Sequence, residues 1–348
     1  MPEAAGSDRE LARLRVLWTH NFDPAIPGKG SFMHATAAGL RARGVDLRLE
    51  YLGNLRSLAQ VLRARAHVKR LALEYDLVHA QFGSACALAT AAVKGVPKLL
   101  TIRGSDWATH DATLDFLYFH SRVAVAFTRS AVRSFDGIIS VSRRIAAEVA
   151  GVAPDSLIVV LPSPVDLEVF SPIDRSAAKA LLGHPECGEK WILFNSLDLR
   201  NPIKRFHLAK AAFDIAQASH GNLRLRLATN LPHNRMALFV SACDLILCTS
   251  EKEGWPNCVK EALACNVPFV ATDVSDLRDI AAVEPTCRVC PADAGAIAAN
   301  MCAVLADERP HDLRRHVAWM SVDSISQQMV ATYETVLSRY RERNAIGR

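Results

Sequence analysis

The 348 residues are more than one ordinary hydrophobic core holds, and they predict two domains of about 150 residues each. Half of the residues are hydrophobic and 22% are charged, a composition that excludes an intrinsically disordered chain. The net charge of +5 comes without a cluster of arginines and interleaved aromatic side chains, so we expect no nucleic-acid partner.

The N-terminus and the cysteines indicate a reducing compartment. Met1 to Arg15 is polar and charged, and no apolar run approaches the roughly 18 residues of a membrane span. The nine cysteines are scattered through apolar runs, as reduced buried thiols are. Cys287 and Cys290 have metal-ligand spacing but no second pair nearby, so we expect a strand and no metal. The expected location is therefore the cytoplasm.

Short runs rich in Val, Ile and Leu alternate with helical patterns in the first half of the chain. This alternation is typical of βαβ units around a buried parallel sheet. The predicted strands are Arg15–Thr19, Val45–Tyr51, Leu77–Ala80, Lys98–Ile102, Gly137–Val141 and Leu157–Leu161. The predicted helices include Ser31–Arg43, Leu55–Leu73 and Ser84–Val93.

The pattern breaks at Pro162-Ser163-Pro164, where two prolines stop both helix and strand, and we place a linker there. A second alternating series follows. Its predicted strands are Trp191–Asn195, Leu223–Ala228, Leu245–Cys248, Pro268–Ala271 and Thr286–Val289. Its predicted helices are Phe206–Ser219, Arg235–Ala242, Asn257–Ala264 and Ala294–Leu305. The predicted domains are residues 1–163 and 164–322. A last helix, within 323–348, could pack back on the first domain. Tandem α/β domains bind ligands in the cleft between them.

The segment after the predicted strand Leu245–Cys248 is the most informative. Gly254 and Pro256 shape a turn, and Asn257 is a good N-cap for the helix that follows. A helix N-terminus suits a diphosphate or a sugar, and Glu261 could accept two hydroxyls of a ribose. Glu253 and Glu261 alone are weak evidence, because a solvated loop glutamate and a dipole-complementing helix glutamate are common.

Five segments together resemble the retaining glycosyltransferases of family 4, which have the GT-B architecture. Residues 253–261 match the E-x7-E motif, and 165–170 match a V-D-x-x-x-F motif after the interdomain linker. Residues 201–205 resemble the lysine-bearing loop, 101–106 the T-x-H-G-x-D loop and 27–31 the first glycine loop. The style is closest to teichuronic-acid-type and other surface-polysaccharide enzymes. The implied fold is α/β, with two Rossmann-like domains whose parallel sheets face a central cleft.

The resemblance also implies roles for individual residues. Lys204 and Arg200 would hold the donor diphosphate, with Arg205 as a replacement for Arg200, and Glu253 would contact the donor sugar. The catalytic set is Glu253, Lys204, Arg200, Arg103 and Asp106, the last two lining the acceptor side. The donor-binding set is Glu261, Asn257, Cys258, Val259, Gly254, Arg205, Leu231, Pro232 and Ser196, with the backbone amides of Asn257 to Val259 binding sugar hydroxyls. The first glycine loop contributes Gly28, Lys29 and Gly30.

The implied reaction moves a sugar, with retention of configuration, from a nucleoside-diphosphate sugar to an acceptor. UDP is the expected nucleotide, the acceptor is a glycan, a lipid-linked or a small molecule, and no metal or other cofactor is needed. Arg103 departs from the histidine usual in the family, and arginine cannot act as a base. Two alternatives stay open: a nucleotide-sugar epimerase on the same fold, and an inactive GT-B protein that binds or scaffolds.

The first 165 residues are basic, with 20 Lys and Arg against 14 Asp and Glu. A phosphorylated acceptor or an anionic membrane surface would complement this charge. The predicted helix Leu55–Leu73 carries Arg56, Arg63 and Arg70 seven residues apart, and a helix at 120–134 adds Arg122, Arg129 and Arg133. Peripheral contact with the inner face of a membrane is therefore an expectation, beside that of an ordinary solvated helix face.

Overall fold

The computed structural model describes residues 13–26, 30–108, 116–185, 188–229, 231, 233–307 and 312–346. At positions 31, 116–121, 233 and 234 it describes the backbone alone. Within these ranges, no helix is both long and apolar enough to span a bilayer.

The N-terminal domain is built on six parallel strands, four of which are largely buried. The strands are β1 (Arg15–His20), β2 (Asp46–Tyr51), β3 (Leu77–Ala80), β4 (Lys98–Ile102), β5 (Gly137–Ser140) and β6 (Leu157–Val160), in the order β2-β1-β3-β4-β5-β6. The helices are α1 (Ser31–Ala42), α2 (Leu58–Leu71), α3 (Ser84–Thr90), α4 (Phe116–Ala131) and α5 (Arg143–Ala150).

The C-terminal domain repeats this architecture with five parallel strands. The strands are β7 (Lys190–Asn195), β8 (Leu223–Ala228), β9 (Leu245–Cys248), β10 (Phe269–Thr272) and β11 (Arg288–Cys290), in the order β11-β10-β9-β7-β8. The helices are α6 (Arg175–Leu181), α7 (Phe206–His220), α8 (His233–Ser241), α9 (Asn257–Ala264), α10 (Leu277–Ala281), α11 (Ala294–Leu305) and α12 (Val322–Ile346). The predicted fold class is confirmed: two α/β domains, each with a parallel sheet.

Each sheet has one point where the chain reverses its direction of travel across the strands. In the first sheet this point lies between β1 and β3, and in the second between β7 and β9. Loops at the carboxyl ends of such strands diverge and leave a crevice, which is where open α/β sheets bind ligands. The fold therefore brings the loops after β7 and β9 to the mouth of a crevice.

The last helix, α12, returns to the N-terminal domain. Ile325, Met329 and Val336 pack in the same core as the first strands of that domain. The buried Tyr333 hydroxyl accepts a hydrogen bond from Trp18 Nε1 at 2.8 Å and shares one with His79 Nδ1 at 2.9 Å. The chain thus crosses between the domains twice. The two crossings are adjacent, because the amide of Val165 donates a hydrogen bond to the carbonyl of Met320.

Candidate active site

Two adjoining cavities lie between the domains. The first, about 390 Å³, is lined by Phe32, Arg103 and Val141 from the N-terminal domain and by the loops after β7 and β9. The second, about 420 Å³, extends toward α5 and shares Arg103, Lys204 and Glu253 with the first. The two cavities are therefore chambers of one cleft, and the residues common to both mark its centre.

The two domains touch at this centre through a pair of glycines. A Cβ on Gly254 would lie 1.9 Å from the carbonyl oxygen of Arg103, and one on Gly104 would lie 2.6 Å from the amide nitrogen of Gly254. Gly104 also has a φ of +114°, a conformation that L side chains rarely adopt. A side chain at position 104 or 254 would push the two loop backbones apart, so both positions require glycine. Gly254, predicted to shape the loop, also sets the spacing between the domains.

Lys204 and Glu253 form an ion pair at the centre of the cleft. The ammonium of Lys204 lies 2.5 Å from Oε1 of Glu253, which also accepts a hydrogen bond from Ser250 Oγ at 2.7 Å. Burial on its own would lower the pKa of Lys204, but the Glu253 carboxylate and two neighbouring thiols outweigh it and raise the pKa above its ordinary value. Lys204 is therefore a fixed cation, 27% exposed to the cleft.

Short-range hydrogen bonds hold Lys204 at this place. It ends a single turn of 3₁₀-helix, Pro202–Lys204, whose Ile203 amide donates to the side chain of Asn201. The hydroxyl of Thr249, at the end of β9, donates to the carbonyl of Lys204 at 2.8 Å. The loops after the two strands at the switch point are thereby tied together.

The start of α9 differs from the prediction in two details. The N-cap is Pro256 and not Asn257, and no side chain caps the helix. The amide of Val259 donates to the carbonyl of Pro256 at 3.1 Å, so it is not available for the sugar hydroxyls predicted to reach it. The amides of Asn257 and Cys258 have no acceptor among the described residues, and both residues line the first cavity. The free amides at the positive end of the helix are thus those of the first two residues.

Glu261 lies one turn further along α9 and lines neither cavity. Its carboxylate accepts no hydrogen bond from any group in the described part of the chain, and burial raises its pKa to about 7. The preceding residue, Lys260, is 1% exposed, and burial lowers the pKa of its ammonium to about 7. Lys260 Nζ donates to the carbonyl of Ser163 at 2.5 Å and so ties α9 to the interdomain linker.

Arg103 reaches the cleft, and its guanidinium is held in place by its surroundings. Its guanidinium lies 4.0 Å from the centre of the Phe32 ring and donates to the carbonyl oxygen and the side chain of Gln81 and to the hydroxyl of Ser163. Burial lowers its pKa to about 9, although the nearby Asp106 opposes the shift. Arg103 is therefore a charged wall of the cleft, held at its position by three hydrogen bonds.

Asp106 lies elsewhere than expected. We predicted that it lines the acceptor side, but its side chain is fully buried and lines neither cavity. Its carboxylate accepts hydrogen bonds from the amides of Gly83, Arg103 and Gly104 at 2.7 to 2.9 Å. Burial raises the pKa of this carboxyl above its ordinary value, and the backbone hydrogen bonds oppose the shift. Asp106 thus fixes the loop from which Arg103 and Gly104 project.

Arg200 and Arg205 do not join Lys204 in the cleft. The side chain of Arg200 is 92% exposed and pairs with Asp198 at 3.2 Å. Arg205 has a φ of 49°, which directs its guanidinium to the carbonyls of Thr249 and Ser250 at 2.7 and 2.8 Å. Neither residue lines a cavity, so the structure does not place either of them where it was predicted to hold a diphosphate.

The remaining predicted residues have mixed positions. Ser196 lines the first cavity and donates to the carbonyl of Asp198 at 2.8 Å. Leu231 is partly buried against the core of its domain. Gly30 has a φ of +80° and precedes α1. The other three predicted residues, Gly28, Lys29 and Pro232, lie outside the described residues.

Sequence reasoning missed Lys260 and Ser163 as parts of the site. A signal for Lys260 exists, because it lies on the same helical face as Leu263, three residues on, and so among buried positions. A lysine is almost never fully buried without a partner. Ser163 has no such signal, since its partners Arg103 and Lys260 come from two different domains.

No group of three His, Cys, Asp or Glu side chains with metal-binding geometry occurs in the ranges that the structure describes. The nearest sequence candidates, Cys287 and Cys290, are both buried next to or within β11. The expectation that no metal takes part stays a prediction.

Comparisons with known proteins bear on the same residues. Residues 11–169 match the family model described as Glycosyltransferase Family 4, and residues 207–307 match the model described as Glycosyl transferases group 1. The second match contains Glu253 and Glu261. No curated protein matches the sequence significantly.

Solved structures share the two-domain fold at low sequence identity. Sucrose-phosphate synthase from Thermosynechococcus elongatus is 17% identical with a TM-score of 0.74, over 94% of this chain and 100% of that one. Anabaena HepE in complex with UDP and glucose is 17% identical with a TM-score of 0.64, over 92% and 100%. The lipopolysaccharide outer core galactosyltransferase WaaB, in its apo form, is 12% identical with a TM-score of 0.62, over 91% and 98%.

Proposed function

Because this chain is a family 4 glycosyltransferase with the GT-B fold, we propose that it moves a sugar from a UDP-sugar to an acceptor, with retention of configuration and without a metal. The observation that carries the proposal is the Lys204–Glu253 pair, which lies where the two chambers of the cleft meet. The acceptor class is a glycan, a lipid-linked or a small molecule.

The first chamber supplies what a nucleoside diphosphate requires. The amides of Asn257 and Cys258 point from the positive end of α9, and Lys204 adds a fixed charge from the neighbouring loop. Together they stabilise the negative charge that grows on a diphosphate leaving group, as a divalent metal does in other enzymes. A solved structure of HepE holds UDP-glucose, which supports UDP as the nucleotide of this chain too.

Glu261 is the proposed anchor of the ribose. A carboxylate binds two adjacent hydroxyls with charge-assisted hydrogen bonds, and this one accepts no hydrogen bond within the described residues. Its position one turn beyond Asn257 and Cys258 separates the ribose subsite from the diphosphate subsite along a single helix. The sugar then extends from the diphosphate toward Glu253.

The transfer step needs no protein nucleophile in this proposal. The bond from the anomeric carbon to the diphosphate oxygen breaks, and the electron pair leaves with the UDP. The acceptor hydroxyl attacks from the same face, and its proton passes to the departing phosphate oxygen. Glu253, held by Lys204 and Ser250, orients the donor sugar, while Lys204 stabilises the charge on the leaving group. The acceptor occupies the second chamber, beside Arg103 and α5.

The test is the slow hydrolysis of UDP-sugars, with water in place of the acceptor. We expect Glu253→Gln to lower the rate about a hundredfold or more, since an oriented charge at the reacting centre is lost. UDP affinity, measured by calorimetry, should stay within about threefold. Glu334→Gln, an exposed glutamate of α12, is the matched control.

Equal hydrolysis rates for the wild type and Glu253→Gln, with UDP bound by both, would contradict the catalytic proposal. Absence of UDP binding would contradict the choice of nucleotide. The anomeric configuration of the released sugar, read by proton NMR at the first turnovers, decides between retention and inversion. Conversion of the UDP-sugar to an isomer would favour the epimerase.

A further inference from the structure

The outward face of α2 and of the 3₁₀ turn after it, Ala72–Glu74, exposes large apolar side chains. Leu58, Leu62 and Leu73 are 75%, 53% and 71% exposed. At about 100° per residue, Leu58, Leu62 and Ala66 fall within one quadrant of the helix, and Leu73 continues the line. We call these four residues the outer stripe. The opposite face buries Val61, Ala64, Val68 and Leu71 in the N-terminal domain.

Basic side chains flank the outer stripe on both sides. Arg63 and Arg70 lie along one edge, and Arg65 lies along the other, with Lys69 between Leu62 and Leu73. All four are exposed. None of them forms an ion pair with a carboxylate in the described parts of the chain. Glu50, which contacts His67 of α2, is already paired with Arg48 and His67.

This arrangement has a defined chemical complement. A row of exposed leucines costs free energy in water, and it is stabilised when a partner removes it from water. Arginine and lysine stems extend along an apolar surface while their charged ends stay in a polar layer. The leucines therefore need a hydrocarbon surface, and the basic side chains need anions beside it. The boundary between the headgroups and acyl chains of an anionic lipid leaflet offers both.

We propose that the outer stripe and its basic flanks lie on the surface of a bilayer that contains anionic lipids, with α2 parallel to the membrane plane. The rigid start of the helix supports this. Ser57 and Gln60 form a capping box, in which each side chain bonds the backbone amide of the other, so the stripe is presented in a fixed orientation. None of these residues lines the cleft, so the proposal is independent of the transfer reaction.

The experiment is co-sedimentation of the full chain with vesicles of phosphatidylcholine, with and without phosphatidylglycerol, at low salt. We expect binding only to the anionic vesicles, and weaker binding at high salt because screening shortens the range of the charges. R63Q/R70Q should bind about thirtyfold more weakly, since each basic residue at an anionic surface contributes a factor of about five. L58Q/L73Q should bind about tenfold or more weakly.

Matched control variants remove the same types of exposed side chain from other parts of the surface. R339Q/R341Q loses two exposed arginines of α12, and L181Q/V283Q loses two exposed apolar side chains of the C-terminal domain. Both should bind like the wild type. Each variant is also assayed for UDP binding without vesicles, which should be unchanged.

Three outcomes would overturn the proposal. One is no binding of the wild type to anionic vesicles, and another is equal loss in the control variants. The third is a smaller species in gel filtration for L58Q/L73Q than for the wild type, which would assign the outer stripe to a contact between two copies of the chain.

Discussion

On the C-terminal wall of the cleft, the start of α9 carries polar groups without a hydrogen-bond partner in the part of the chain that the structure describes, whereas on the N-terminal wall Arg103 and Asp106 are each held by three hydrogen bonds. The carboxylate of Glu261 and the amides of Asn257 and Cys258 are unpaired among the described residues. Arg103 makes three side-chain hydrogen bonds, and Asp106 accepts three from backbone amides. Both walls are rich in polar groups, but Arg103 already uses three of its five N–H donors within the protein, and the Asp106 carboxylate is buried behind its loop.

This difference separates two roles, ligand binding and stabilisation of a loop, that the sequence motifs do not distinguish. Unpaired groups in a partly buried site lose water without compensation, and a ligand recovers that free energy. Groups that are hydrogen-bonded within the protein instead stabilise the loop that carries them. We therefore expect substitutions on the C-terminal wall to change catalysis and ligand affinity, and substitutions on the N-terminal wall to change stability. Substitutions on each wall and at the contact between the walls test that division.

Lys204→Ala should have the largest effect. The variant removes the charge that faces the leaving group and leaves Glu253 without its partner. We expect UDP-sugar hydrolysis to fall by a factor on the order of 100 to 1,000, as for the loss of one transition-state donor. Lys210→Ala, which removes an exposed lysine of α7 paired with Asp214, is the control and should keep full activity. Comparable activity in both variants would assign Lys204 a structural role only.

Gly254→Ala tests the contact between the walls. The added methyl would lie 1.9 Å from the carbonyl oxygen of Arg103, so the two domains have to move apart. A displacement of about 1 Å at a reacting centre costs roughly a hundredfold in rate. The melting temperature should fall by only a few degrees, because each domain keeps its own core. At Gly151 an added methyl meets its nearest atom at 3.6 Å, so Gly151→Ala should be silent in both assays.

Asp106→Asn tests the N-terminal wall. The amide nitrogen of the new side chain faces a backbone donor, so at least one buried amide loses its acceptor. We expect a loss of about 1–3 kcal/mol in the free energy of unfolding, measured in urea, with the KM for the UDP-sugar nearly unchanged. Asp174→Asn, at the exposed N-cap of α6, should cost little because asparagine caps as well as aspartate. A large rise in KM would place Asp106 in the binding machinery after all.

The same division explains which parts of the molecule the sequence predicts. Apolar runs reveal the strands: Leu77–Ala80, Lys98–Ile102, Leu223–Ala228 and Leu245–Cys248 are confirmed to the residue, and the others shift by one or two positions. β10 begins one residue late because Pro268 has no amide hydrogen for the ladder. A buried strand is encoded by a short run of neighbouring apolar residues, so a single sequence is enough to predict it.

The site residues are likewise predictable only where they lie close together in the sequence. Glu253, Asn257, Cys258 and Glu261 come from one strand-loop-helix segment. The first three line the first cavity, and Glu261 follows one turn further along α9 without lining either cavity. The positions of Arg200, Arg205 and Asp106 depend on side-chain directions that the backbone sets, such as the left-handed conformation of Arg205. A motif names the residue type at a position but not the direction of its side chain.

The smallest expected effect is the pH dependence of donor binding, and it has a definite sign. The pKa of Glu261 is about 7, above the 4.5 of an exposed glutamate, so its carboxylate form grows as the pH rises through 7. If that form binds the ribose, affinity for UDP-glucose should rise up to about tenfold per pH unit just below pH 7. Stability should run the opposite way. A carboxyl whose pKa is raised by folding stabilises the folded state at low pH, and this contribution is lost between about pH 4.5 and 7.

Lys260 titrates in the same range, since burial lowers its pKa to about 7, and it loses its charge as Glu261 gains one. Two variants separate them. Glu261→Gln should bind UDP-glucose weakly at every pH, with a flat profile, whereas Lys260→Met should keep a rising profile. A rising profile that survives Glu261→Gln and disappears in Lys260→Met would assign the pH dependence to the contact of Lys260 with Ser163 of the linker. In that case Glu261 does not bind the ribose.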